Sequence, residues 1–233
     1  MKQISYGRQY IDKKDIEAVI ETLQSDYMTQ GPKVKEFEDK VAEYHSCKFA
    51  VAFCNGTAAL HAAYYAVGLK KGDEFITSPI TFAASGNGGL YLGGIPKFVD
   101  TDKENYNIDI NKIEKAITDK TKVITPVSLA GYPVDLKAIR KAIENTGKDI
   151  KIIHDAAHAI GALRENRNIV DYADVTILSF HPVKHVTTGE GGMVLTNNEN
   201  YYKKLCLFRT HGITKNPDEL EENHGAWYYE MQE

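Results

Sequence analysis

The run Ser179-Phe180-His181-Pro182-Val183-Lys184, continued by Thr187-Thr188-Gly189-Glu190-Gly191-Gly192, carries the densest chemistry in this 233-residue sequence. It sets one lysine just after an apolar stretch, Asp174 to Leu178, in a turn rich in hydroxyl groups and glycine. A lysine held at the end of a sheet loses solvation. Burial lowers its pKa and leaves a nucleophilic amine of the kind that forms Schiff bases. Proline stiffens the approach, and glycine lets the backbone come close to a flat, polar ligand. Alone, the same run also reads as a surface lysine in a loop, so the decision rests on the groups that such a lysine would need.

Three further positions supply candidates. Cys54-Asn55-Gly56-Thr57-Ala58-Ala59 follows an apolar run and leads into an apolar helix. Its open backbone N–H groups and hydroxyl suit a phosphate, or it is a plain N-capped helix. It has neither the spacing nor the lysine of a nucleoside-triphosphate loop. Ser78-Pro79-Ile80-Thr81-Phe82 follows another run, and Phe82, expected one residue into a helix, is either core or a stacking face for a planar ligand. His154-Asp155-Ala156-Ala157-His158 follows a third. On a helix the two histidines would share a face, as in a zinc protease, but Asp155 stands where that motif needs glutamate and a strand runs straight into it. The preferred reading is no metal and a strand-end acid, Asp155, paired with a buried cation such as a pyridinium nitrogen. Gly86, Gly88 and Gly89 make no dinucleotide fingerprint, because Tyr91 takes the third glycine's place.

The elements that must position these groups alternate regularly. Strand-like runs fall at Ala50–Phe53, Glu74–Thr77, Lys97–Val99, Lys122–Val127, Asp149–His154, Asp174–Leu178 and Gly192–Thr196. Ile16, Val19, Ile20 and Leu23 form a helical stripe with Asp12 as N-cap; Val34, Phe37, Val41 and Tyr44 form a second, and Leu136, Ile139 and Ile143 a third. Ala58–Val67 is apolar all round and predicts a buried helix. Strands separated by helices predict an α/β fold with a mainly parallel seven-stranded sheet flanked by helices. The last two strands lack room for a helix between them, which allows an antiparallel pair. In such a sheet ligands sit beyond the strands' carboxyl ends, where the four candidate groups lie.

Composition narrows the class. Net charge is −4, so nothing marks a nucleic-acid partner, and no run approaches membrane-spanning length. The amino terminus has no apolar leader-like core. Three widely spaced cysteines, Cys47, Cys54 and Cys206, read as thiols of a reducing cytoplasm.

Phosphate turn, aromatic, aspartate and lysine, in this order, describe a site for pyridoxal 5'-phosphate. The chain resembles the DegT/DnrJ/EryC1/StrS family of sugar aminotransferases through Asn55-Gly56-Thr57-Ala58-Ala59-Leu60, Asp155-Ala156-Ala157-His158-Ala159 and the Ser179–Gly192 segment. That resemblance implies the type I fold of pyridoxal-phosphate-dependent transferases. It implies that Lys184 carries the cofactor and that Asp155 pairs with its ring nitrogen. His158 would neighbour the phenolic oxygen, and Phe82 would stack on the ring. Gly56, Thr57, Ala58 and Ser179 would hold the phosphate; Tyr6, Met28, Thr29 and Gln30 would touch a nucleotide sugar. A sister group of dehydratases carries histidine in place of the lysine, and Lys184 argues against it.

Within the family, His181-Pro182-Val183-Lys184-His185, the stretch Val127–Asp135 and the ending Trp227–Glu233 resemble the members of pseudaminic acid biosynthesis. These use L-glutamate to aminate C4 of a UDP-linked 4-keto sugar, and a homodimer is implied. Family members run well past this length, so residues 1–233 are expected to form the N-terminal segment and large domain, with a C-terminal small domain missing. The chain alone is then expected to bind cofactor weakly and to transaminate poorly. A catalytically incompetent relative and another nucleotide-sugar enzyme of the family stand as alternatives.

Overall fold

The structure, a computed structural model, describes residues 7–222 and 224–232. Tyr6, one of the expected sugar contacts, lies outside the described residues.

Seven strands form the central sheet: β1 (Phe49–Phe53), β2 (Glu74–Thr77), β3 (Ile95–Phe98), β4 (Thr121–Thr125), β5 (Lys151–Asp155), β6 (Val175–Ser179) and β7 (Gly192–Thr196). Their spatial order is β1-β7-β6-β5-β4-β2-β3. The run from β3 to β6 is parallel, and β7 is antiparallel to both its neighbours, β6 and β1. The antiparallel pair follows from the link: residues 180–191 hold no helix that could carry the chain back across the sheet. β4 stops at Thr125 rather than Val127 because Pro126 has no N–H for the ladder.

Among the described residues seven α-helices accompany the sheet: α1 (Lys13–Leu23), α2 (Pro32–Tyr44), α3 (Gly56–Ala66), α4 (Ala84–Leu90), α5 (Ile110–Ala116), α6 (Leu136–Thr146) and α7 (Glu199–Arg209). Asp12 caps α1 through a reciprocal box with Asp15. Strand alternation divides the core. Phe75, Val123, Ile153 and Ile177 face one layer with Ala59, Tyr64 and Leu205 of α3 and α7. Ile76, Ile124 and Ile152 face the other with Ile139 and Ile143 of α6. Asp155 and Ser179 stand two residues beyond Ile153 and Ile177, so both point to the layer that contains α3.

His154 points the opposite way and is fully buried. Its Nδ1 lies 2.8 Å from the Ile169 carbonyl, which only accepts, so Nδ1 carries the hydrogen and Nε2 accepts from Ser128 Oγ at 2.7 Å. Both ring nitrogens are used in holding the β5 layer together. Burial pushes its pKa down to about 4. The unfolded chain then binds a proton that the folded chain refuses between pH 6.5 and about 4. The stability this neutral ring contributes is present above pH 6.5 and is lost as pH falls through that window. Urea titrations at pH 7 and pH 4.5 should show a loss of ~2–3 kcal/mol that His154→Gln reduces.

Candidate functional site

α3 begins where β1 ends. Asn55 is its N-cap, and Asn55 Oδ1 accepts the Ala58 amide at 2.8 Å, so Ala58, expected among the phosphate-holding residues, has its amide engaged and borders a different groove. That leaves the Gly56 and Thr57 amides at the helix start without an acceptor among the described residues. The Ser179 side chain stands close against them: a Cβ on Gly56 would lie 3.3 Å from Ser179 Cβ and 3.4 Å from Ser179 Oγ. Ser179 Oγ accepts a long contact from the His181 amide, so its own hydrogen stays available. Gly56 and Thr57 at the start of α3 and Ser179 at the end of β6 line one cavity, with free amides and two hydroxyls that have the chemistry of a phosphate cradle.

β7 reaches this cradle only because Gly192 has no side chain. A Cβ there would stand 2.3 Å from the Asn55 carbonyl oxygen and 2.6 Å from the Gly56 nitrogen. Gly192→Ala is therefore expected to displace the 55–57 turn. It should weaken pyridoxal phosphate uptake more than it unfolds the chain, since overpacking of this kind typically costs about 1–3 kcal/mol. Fluorescence titration with the cofactor, beside far-UV circular dichroism, checks it.

The cradle opens into a cavity of about 390 Å³ bordered by Phe82, Asp155, His158, Ser179 and Lys184. That volume suits a small-molecule site. Asp155 ends β5 and is 4% exposed. Its Oδ2 accepts from Ser85 Oγ at 2.7 Å and its Oδ1 from the Ala157 amide at 3.2 Å. Lys184 sits half-buried in the link after β6. Burial lowers its pKa and the nearby Asp155 charge pulls it partly back up. His158 Nδ1 accepts the Ala130 amide at 3.2 Å, which leaves Nε2 to carry the hydrogen of the neutral ring. Burial lowers its pKa too, with Lys184 and His185 adding to the shift and Asp155 opposing it.

Ala130 can aim its amide at His158 because it adopts the left-handed conformation, φ 53°, beside Gly131 at 86°. Nothing in the sequence pattern foretold that turn.

Phe82 departs from expectation in one respect. It precedes α4 rather than lying inside it, and it is 75% exposed, so it is no core residue. Its ring borders the cavity as an open apolar face. These groups fit a phosphorylated pyridine ring: donors for the phosphate, a carboxylate for the ring nitrogen, an amine for the aldehyde and an aromatic for the ring face. Among the described residues, no cluster of three histidine, cysteine or acidic side chains could hold a metal.

Thr29 and Gln30 line a separate groove with Cys54, Ala58 and Arg209, and Met28 is exposed. Gly7, next to the undescribed Tyr6, packs against Val183 beside the lysine.

Residues 9–233 match the model of the DegT/DnrJ/EryC1/StrS aminotransferase family. The chain is 38% identical over 215 residues to the UDP-4-amino-4,6-dideoxy-N-acetyl-beta-L-altrosamine transaminase of Campylobacter jejuni, covering 91% of this chain and 56% of that protein. It superposes with a TM-score of 0.90 and 33% identity on Helicobacter pylori PseC, an aminotransferase of pseudaminic acid biosynthesis, covering 100% of this chain and 60% of that one. A putative sugar aminotransferase of Streptococcus pneumoniae, Spr1654 in its PLP-form, superposes at 0.89 with 31% identity, over 98% and 60% of the two chains. The chain thus spans less than two thirds of the proteins it matches. A match over residues 9–233 places the chain in the DegT/DnrJ/EryC1/StrS aminotransferase family.

Proposed function

We propose that the protein is a pyridoxal-phosphate-dependent nucleotide-sugar aminotransferase. Its reaction moves an amino group from L-glutamate to C4 of a UDP-linked 4-keto-6-deoxy sugar, as in pseudaminic acid biosynthesis. The observation that carries this reading is the convergence of Lys184 and Asp155 on one cavity beside the Gly56–Thr57–Ser179 cradle. The UDP-linked sugar is supported by the likeness to the altrosamine transaminase, and L-glutamate by the family resemblance of the sequence.

Pyridoxal phosphate, when bound, supplies an electron sink that stabilises negative charge at the carbon losing or gaining a proton. The chain's own residues do the rest. The cradle holds the phosphate by N–H and O–H donors at the positive end of α3. Asp155 would offer a carboxylate to the ring nitrogen and so keep a proton there, and Phe82 would cover one face of the ring. His158 presents its Nε2 hydrogen as a donor. Lys184 would hold the cofactor through its amine and would be the base that moves the proton; its lowered pKa favours the neutral amine this needs.

A homodimer in the cytoplasm completes the proposal. An exposed apolar stripe on α1 (Ile16, Val19, Ile20 and Leu23) supports the first part, and three free thiols support the second. Among the described residues no helix is long and apolar enough to cross a membrane.

One spectrum tests the core of the reading. At saturating pyridoxal phosphate, which offsets the weak binding expected of residues 1–233 alone, the purified protein should develop a visible Schiff-base band that bleaches, if slowly, on adding L-glutamate. Mass spectrometry should then show amine transfer to a UDP-linked 4-keto sugar in preference to its GDP- and TDP-linked counterparts. A colourless protein would sink the cofactor assignment, and an inverted preference would sink the UDP assignment.

A further inference from the structure

Behind Asp155 lies a chain of hydroxyl groups whose direction can be worked out. Ser85, on the first turn of α4 and fully buried, has a single hydroxyl hydrogen. Its Oγ stands 2.7 Å from Asp155 Oδ2 and 2.7 Å from Thr81 Oγ1. A carboxylate only accepts, so the Ser85 hydrogen points to Asp155, and Thr81 must donate to Ser85. The order is Thr81 to Ser85 to Asp155, each link charge-assisted by the acid at its end.

A second chain holds α4 in place. Tyr64 Oη donates to the Ser85 carbonyl at 2.7 Å, so Thr125 Oγ1, 2.7 Å from the same phenol, must donate to Tyr64. Close approach of the helix depends on glycine. A Cβ at Gly88 would stand 3.0 Å from the Tyr64 ring, and one at Gly89 would stand 2.5 Å from the Phe75 ring. The Ser85 amide also donates to the Phe82 carbonyl at 3.1 Å. One turn, residues 81–85, thereby fixes both the acid for the ring nitrogen and the aromatic for the ring face.

We infer that Ser85, aligned by Thr81, is a positioning residue that holds the Asp155 carboxylate in one orientation as the acceptor for the cofactor's ring nitrogen. This rests on the cofactor reading above. The Ala157 amide fixes Oδ1. Without the serine hydroxyl, Oδ2 loses its partner inside a buried pocket and the carboxylate is free to rotate away from the cavity. A purely structural serine would affect folding alone. A positioning serine also changes how tightly the cofactor binds and how its visible band titrates.

Two measurements separate these outcomes. Without cofactor, urea unfolding of Ser85→Ala, Asp155→Ala and the double variant forms a cycle in which each single change removes the hydrogen bond; the contact predicts non-additivity of roughly threefold to tenfold in the folding constant. With cofactor, Ser85→Ala is expected to bind pyridoxal phosphate about 10- to 100-fold more weakly. The pH midpoint of its visible band should rise, because a less firmly protonated ring nitrogen repels the Schiff-base proton less. Thr81→Val should move both readouts part of the way, and Thr81→Ser, which keeps the hydroxyl, should restore them. An additive cycle overturns the contact. Coupling with wild-type affinity and midpoint overturns the positioning role and leaves a structural serine. A wild-type protein that takes up no pyridoxal phosphate overturns the functional reading and the positioning role with it, and the cycle still decides whether Ser85 and Asp155 interact.

Discussion

Lys184→Ala is expected to abolish amine transfer, by a factor at or beyond the 10²–10⁴ typical of losing a positioned proton-transfer group. Two roles end together. On the proposed reading, the amine that would hold the cofactor is gone, and so is the base that would move the proton. The cradle of Gly56, Thr57 and Ser179 is untouched, so the variant should still take up pyridoxal phosphate without the visible band. Borohydride reduction of the wild-type protein, followed by peptide mapping, should place the phosphopyridoxyl group on Lys184; an adduct on another lysine would move the assignment. A small primary amine added to the variant should restore a fraction of the turnover.

The same substitution has a signature in the cofactor-free protein. Burial lowers the Lys184 pKa below its ordinary 10.5. Between the lowered value and 10.5 the unfolded chain holds a proton that the folded chain has released, so stability rises with pH across that window. Lys184→Ala should flatten that part of the stability profile.

The sequence carried much of this site because each key residue occupies a position that periodicity can find. β2 and β7 have the expected bounds, the strand ends at Asp155 and Ser179 lie within one residue of those expected, and the antiparallel pair follows from a link too short for a helix. What stayed hidden depends on contacts that no local pattern encodes. α4 contains Gly86, Gly88 and Gly89, which disfavour a helix by propensity, yet these glycines let it close on Tyr64 and Phe75. Its Ser85 meets Asp155 across 70 positions of sequence. α7 escaped because its core face mixes Tyr201 and Leu205 with partly buried Tyr202 and Phe208, which form no clean stripe among its polar residues. The α1 stripe was legible as an amphipathic helix, but periodicity does not say what covers it, and in this chain α1 buries none of its residues.

Asp155→Asn should nearly stop turnover while the fold survives. The carboxylate is 4% exposed and already accepts from Ser85 and Ala157, and an asparagine of the same shape can still accept from the serine through its amide oxygen. What disappears is the charge opposite the ring nitrogen. Breaking a buried ion pair by neutralising one partner typically costs about 3–5 kcal/mol, or roughly 10²–10⁴ in the rate when the pair forms only with the cofactor in place. The neutral ring then withdraws electrons poorly, so the loss falls on kcat for proton abstraction rather than on the binding of L-glutamate. Phe82→Ala gives the contrast: stacking contributes about 0.5–1.5 kcal/mol beyond area burial, which predicts weaker cofactor retention with kcat less affected at saturation. Stopped-flow measurement of the glutamate half-reaction, with urea unfolding as the control for the fold, separates the two variants. Wild-type half-reaction rates for Asp155→Asn would return this aspartate to a structural role at the end of β5.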